Sequence, residues 1–429
     1  MLNLAIVLMI IFSACTKEEV ISDTPDTNSE IQTGSTTTNE DQTTNSTGNY
    51  IIVDTDQLNF YNNSIVISQP SQGQSFYGQD AQYQINAPSY INNNDGTITD
   101  NMTGLMWVKS ADRDGDGDID ANDKLSHTEA LNGANSFNLA GYSDWRLPTI
   151  KELYSLILFS GIDPSGYEGS STAGLVPFID TDYFDFAYGD TDAGERIIDA
   201  QYASSTQYVS TTMNGDQTLF GVNFADGRIK GYGMSLHGFD KEFYVIYVRG
   251  NSEYGKNNLQ NNNDGTITDL ATGLMWTQAD NGEGLNWEDA LVYAEDYEIA
   301  GYSDWRLPNT KELQSLIDYS RSPATSSSAA IDPAFNSTNI TNEAGQSDYP
   351  AYWTSTTHAN WSNVDGGNAA YINFGRSMGY MSSWLDVHGA GAQRSDPKTG
   401  DPSSYPTGHG PQGDAIRIYN YVRLVRTVN

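Results

Sequence analysis

Residues 112–123 read Asp-Arg-Asp-Gly-Asp-Gly-Asp-Ile-Asp-Ala-Asn-Asp. Counted as a twelve-residue loop, Asp112, Asp114 and Asp116 stand at positions one, three and five, with Gly117 at the turn position six. Asp118 stands at seven and Asp123 at twelve. This is the spacing with which an EF-hand loop surrounds Ca²⁺, a hard cation that takes about six to eight oxygen ligands. Carboxylates packed this closely repel one another unless a cation compensates them. The expected metal ligands are therefore Asp112, Asp114, Asp116, Asp118 and Asp123; the plainer alternative is a solvated acidic loop.

A second group of residues suits recognition. Tyr352 to Trp361 combines aromatic faces with hydroxyls and amides, and Asn363, Asp365, Asn368, Tyr371, Asn373 and Arg376 follow. Aromatic platforms flanked by Asn, Asp and Arg fit carbohydrate or protein epitopes. The expected ligand-binding residues are Asn360, Trp361, Asn363 and Arg376, with Trp361 as the platform. Tyr208, Asn223, Asp226 and Arg228 are their earlier counterparts. Trp353 and Tyr371 read equally well as core strand residues. A Gly-, Pro-, Ser- and His-rich insertion follows at about 381–414.

Catalysis has no visible constellation. The five histidines are scattered and none has zinc-ligand spacing. Ser204, Ser205 and Ser355 lie in no nucleophile elbow. The single cysteine, Cys15, follows an apolar run and the small residues Ser13 and Ala14. That arrangement resembles a bacterial lipobox, so Cys15 is the expected lipidation site, with 1–14 as signal peptide. Lys17-Glu18-Glu19 resembles a signal that sends lipoproteins to the outer face of the outer membrane. Residues 15–48, rich in Ser, Thr, Asn, Asp and Glu, read as a lipidated disordered tether. The expectation is an outer-membrane lipoprotein exposed on the cell surface. A formal charge of −34 argues against nucleic acid as a partner.

The elements that must position these groups occur twice. Asn-Asn-Asn-Asp-Gly-Thr-Ile-Thr-Asp spans 92–100 and 261–269, Thr-Gly-Leu-Met-Trp spans 103–107 and 272–276, and Gly-Tyr-Ser-Asp-Trp-Arg-Leu-Pro spans 141–148 and 301–308. A period this long means two complete domains of one family, over 88–250 and 251–429, rather than a solenoid. Asp-Gly before a β-branched run predicts a hairpin. Capping boxes at Ser126 and Glu129 and at Thr149 and Glu152 predict two helices, repeated from Asn286 and Asn309. Trp145 and Trp305 read as core aromatics before a helix, with Arg146 and Arg306 paired to buried acceptors. Each copy closes on a strand ending in Val-Arg, at Val248-Arg249 and Val422-Arg423. Residues 49–87 form a β-rich lead-in, with Ile51 to Val53 and Ile65 to Ile67 as strands. Helices early and sheet late predict an α+β fold.

These motifs, in this order, resemble the Lcl C-terminal domain family of bacterial surface proteins over nearly all of 88–429. The resemblance implies two tandem C-type-lectin-like domains. Its best-known member is the head of a collagen-like adhesin that binds host glycosaminoglycans, while many members have no assigned activity. The expected role is therefore adhesion to, or recognition of, an extracellular glycan or protein. The alternative is a non-catalytic structural subunit of a surface complex. Only the first copy carries the acidic loop, and the second still reads as complete, so Ca²⁺ is expected to be structural and confined to the first.

Overall fold

The computed structural model describes residues 49–236, 238–362 and 364–428. Cys15, the signal segment, the tether and Asn363 lie outside the described residues. Each copy opens on a three-stranded antiparallel meander: Tyr90–Asn92, Thr97–Asp100 and Leu105–Val108, then Leu259–Asn261, Thr266–Asp269 and Leu274–Thr277. The Asn-Asp-Gly turns work because Gly96 and Gly265 take φ of 88° and 90°, which only glycine adopts without strain. Period-2 alternation then turns Ile98 and Trp107, and Ile267 and Trp276, into the core.

A fourth strand closes each meander, Val248–Gly250 in the first copy and Val425–Thr427 in the second. The expected match of Val248-Arg249 with Val422-Arg423 is thus three residues out of register. The sequence offers Val-Arg twice in succession, and the second pair, Val425-Arg426, occupies the strand. Arg249 clasps Asp144 and Arg426 clasps Asp304, each with a 2.7 Å bond from Nε. Arg423 is instead fully buried, donating to the carbonyls of Thr277, Gln278 and Asn336.

The helices His127–Ala134, Ile150–Tyr154, Trp287–Glu295 and Thr310–Ser315 start at the expected caps. They are short. The second of each pair stops before Leu156-Ile157 or Leu316-Ile317, which are buried in the turn that follows. Strand accounts for 29% and helix for 10%, so the fold is β-rich and the α+β expectation is wrong. The apolar i, i+3, i+4 spacing came from single helical turns running into buried loops.

The late halves join in one six-stranded antiparallel sheet. Its order is Ala351–Thr357, Asn368–Asn373, Gln393–Pro397, Arg228–Gly233, Asp216–Asn223, Gln201–Thr212. The seam is the pairing of Gln393 with Ile229. The strand from the second copy's insertion therefore bridges the two copies. A reciprocal exchange fixes them as well. Lys151 Nζ donates to the Ser315 carbonyl at 2.7 Å, and Lys311 Nζ to the Ser155 carbonyl at 2.9 Å. Each lysine satisfies a carbonyl at the C-terminal end of the other copy's helix, where the helix dipole favours a cation.

In the lead-in, Phe60–Tyr61 pairs with Val66–Ile67. Ile51 to Val53 is not part of a strand among the described residues, contrary to expectation. Burial of Ile52 and Val53 against the repeats, not strand pairing, accounts for that apolar run.

Candidate functional site

Where the copies meet, a cleft of about 1010 Å³ opens over the joined sheet. Arg228 and Lys230 on one strand, and Arg394, Ser395 and Pro397 on its neighbour, form part of the lining. Six lining residues are Lys or Arg and six are Asp or Glu, whereas the whole chain has 21 and 55. The cleft is thus far less acidic than the rest of the molecule. Tyr167, Tyr232, Tyr371 and Tyr405 add aromatic surface.

The charges are paired and held. Arg228 Nη2 donates to Asp163 Oδ2 at 2.6 Å and to Ser395 Oγ at 3.1 Å. Lys230 and Arg394 pair with Asp226 and Asp414. Burial pushes the Asp163 carboxyl up, but Arg228 more than offsets this and holds it below the usual carboxylate range. Burial lowers Lys230 to about 8 against the opposing pull of Asp226. Behind the cleft, His358 Nε2 lies 2.9 Å from the Asp226 carbonyl. Burial, then Arg228, lowers its imidazole to about 3, so it is neutral at physiological pH.

Several polar atoms here have no protein partner: Asp226 Oδ1, the Tyr232 hydroxyl, and Nε and Nη1 of Arg394. Asp226 and Tyr232 are 1% and 8% exposed. These atoms are themselves buried beneath the cleft surface; what the cleft presents to a polar ligand is its evenly matched charges and its tyrosines.

The expected binding residues divide. Asn360 lines the cleft, because its loop is pinned across the seam. Asp163 N–H donates to the Ala359 carbonyl and Trp361 N–H to the Asp163 carbonyl, at 2.9 and 2.8 Å. Trp361 is 44% exposed, with its ring edge-on to Tyr167 at 5.4 Å. Arg376 lies apart, held by Asp348 at 3.3 Å, and does not line the cleft. Trp353 and Tyr371 are buried, as are Trp145 and Trp305, whose Nε1–H groups donate to the Tyr142 and Tyr302 carbonyls. Tyr232, Lys230 and Arg394 were missed. Arg394 lies in an insertion whose composition gave no strand signal, and Lys230 and Tyr232 resembled ordinary strand residues.

The acidic loop forms two groups rather than one. Asp112, Asp114 and Asp116 bring carboxylate oxygens within 4.8 Å of one another, and Asp118, Asp120 and Asp123 do likewise. Asp120 was not among the expected ligands. Asp112 accepts N–H bonds from Gly115 at 2.7 Å and Gly117 at 3.2 Å, which folds the loop around the first group. Asp123 is buried and accepts backbone N–H groups of Arg113, Asp114 and Asp120, tying the loop's ends together. The hydrogen bond and like charge of Asp116 raise the Asp118 carboxyl above its ordinary range. Crowded oxygens with this turn geometry fit a hard divalent cation.

Among the described residues no helix is long and apolar enough to cross a membrane. No curated protein and no solved structure matches the chain. A family model described as the Lcl C-terminal domain matches residues 96–249 and again 265–387. Those segments cover more than half of the sequence and fall one in each structural copy, and the chain belongs to the Lcl C-terminal domain family.

Proposed function

We propose that this protein is a surface-exposed lipoprotein, anchored through Cys15, that recognises an extracellular glycan or protein in the cleft between its two copies. The observation that carries the reading is the cleft's lining of six basic and six acidic residues with four tyrosines, in a chain that is otherwise strongly acidic. Sugar hydroxyls or peptide amides can hydrogen-bond to the charged side chains of this lining while packing against the rings. Membership of the Lcl C-terminal domain family supports a surface-associated role. Trp361, at the Tyr167 edge, serves as an exposed platform next to the cleft. The acidic loop takes one structural Ca²⁺, a reading supported by its EF-hand spacing.

The test is a glycan array and a panel of extracellular-matrix proteins probed with the full chain, with and without calcium. Capture that falls about tenfold or more in Tyr232→Phe or Arg394→Gln, at unchanged melting temperature, supports the cleft. Capture that both variants retain in full removes it from the binding site.

A further inference from the structure

The two copies differ at one equivalent place. In the second copy, the face formed by Arg306, Thr310, Glu312 and Thr356 is covered by the chain's own lead-in. Asp80 Oδ2 accepts from the hydroxyls of Thr356 at 2.5 Å and Thr55 at 2.7 Å. The Arg306 guanidinium lies over the Tyr83 ring at 5.2 Å while pairing with Glu312. Asp80 and Tyr83 thus sit three residues apart, one on the hydroxyl and one on the guanidinium.

Among the described residues, the first copy repeats this face without the cover. Arg146 pairs with Glu152 as Arg306 does with Glu312. Thr206 Oγ1 accepts the Ile150 N–H at 3.0 Å, as Thr356 Oγ1 accepts the Thr310 N–H at 3.1 Å. Above them lies an open groove of about 370 Å³, lined by Arg146, Glu152, Thr206, Ser252 and Lys256 among others. The Arg146 side chain is 34% exposed, against 8% for Arg306. The linker between the copies passes one side of this groove, with Gly255 and Asn257 on Lys151, but supplies no counterpart of Asp80 or Tyr83.

We propose that the first copy's groove receives a segment of a partner protein that forms a single 3₁₀ turn, as Asp80–Gln82 does here, and that bears a carboxylate and, three residues later, an aromatic ring. The carboxylate accepts from the Thr206 hydroxyl, and the ring lies against the open face of the Arg146 guanidinium. Lys256, 62% exposed at the rim and paired with the exposed Glu253 at 2.8 Å, can exchange that surface partner for the acidic segment. The occupant's chemistry is read from the segment that this chain places on the equivalent face. This docking site is separate from the cleft, and its test does not depend on the cleft's ligand.

The probe is a fluorescent peptide copying residues 76–86 of this chain, titrated against the full chain by anisotropy. Saturable one-to-one binding is expected. Alanine at the peptide's Asp80 or Tyr83 position should weaken it about tenfold or more. Ser252→Trp, which fills the groove from an exposed position, should abolish it at unchanged melting temperature. Lys256→Glu should weaken it several-fold and serves if the tryptophan variant misfolds. Absence of saturable binding overturns the proposal. So does binding that survives Ser252→Trp and Lys256→Glu, since the peptide would then be exchanging with the lead-in on the second copy. A dimer of the full chain that Ser252→Trp dissolves would make a second copy the occupant and also overturn it.

Discussion

Asp80→Asn tests the lead-in clasp by its pH dependence. Asp80 is 3% exposed and accepts two hydroxyl hydrogen bonds. Burial pushes its carboxyl up to about 7; the Thr356 hydroxyl opposes the shift, and the nearby Asp54 and Glu312 add to it. In the unfolded chain the group titrates near 3.9. A raised folded pKa means that its stabilising contribution is complete below pH ~4 and is lost as pH rises through ~7. The window spans about three units, so ionising Asp80 in the folded state costs on the order of 4 kcal/mol by pH 8. Asparagine cannot ionise, and its amide oxygen can still accept from both hydroxyls. At pH 4.5 the variant should match the parent within about 1 kcal/mol. At pH 8 it should be the more stable. Unfolding about 380 residues carries roughly 0.8 kcal/mol per degree of entropy near 60 °C, so the gain corresponds to about 5 °C. The assay is thermal unfolding of parent and variant from pH 4.5 to 8.5 at constant ionic strength. Asp386 and Asp396 are also raised by burial, to about 7 and about 6, so the reading is the difference between the two proteins. A variant equally destabilised at both ends of the range would refute the reasoning, because Asp80 would then be a carboxylate whose charge the fold requires.

Cys15→Ser should move the protein from the membrane to the soluble fraction; unchanged retention, with no acyl mass on the parent's N-terminus, counts against lipidation. Calcium at a hundredfold excess over its dissociation constant should stabilise the parent by about 2.7 kcal/mol, and Asp112→Ala with Asp116→Ala should remove that increment. Equal melting of the parent in calcium and in chelator ends the calcium reading. Trp305→Ala should cost on the order of 3–5 kcal/mol through lost core packing. Trp361→Ala, at an exposed ring, should leave the melting temperature near the parent's and reduce ligand capture; the opposite pattern would exchange core and site.

Local chemistry was legible in the sequence, and long-range pairing was not. Capping boxes at Ser126, Thr149 and Asn309 form as read, because an N-cap needs only residues three apart. The Asn-Asp-Gly turns are legible for the same reason. The α+β reading failed because apolar spacing does not distinguish a long helix from a five-residue one whose last apolar residues lie in a buried loop. The closing strand slipped because Val422-Arg423 and Val425-Arg426 present the same local signal, and only pairing with Leu274–Thr277 decides between them. The cleft was half legible. Asn360 and Trp361 stood out as polar and aromatic loop residues, whereas Arg394 depends on the register of an insertion strand against a strand more than 160 residues earlier.

The duplication explains where binding chemistry can reside. A duplicated domain keeps what its core requires, and here that includes the buried tryptophans, the Arg–Glu pairs and the reciprocal lysines. Many of the shared groups are satisfied by the fold itself, Trp145 and Trp305 on the Tyr142 and Tyr302 carbonyls and each arginine on its glutamate, although Trp107 and Trp276 Nε1 are not. The two open surfaces lie where the copies cease to be equivalent. The bridging strand, present only in the second copy, brings Arg394 beside Tyr232 and Asp226. The lead-in covers one Arg–Glu face and leaves its twin open. Departures from internal symmetry, more than the repeated motifs, therefore direct the search for this protein's ligands.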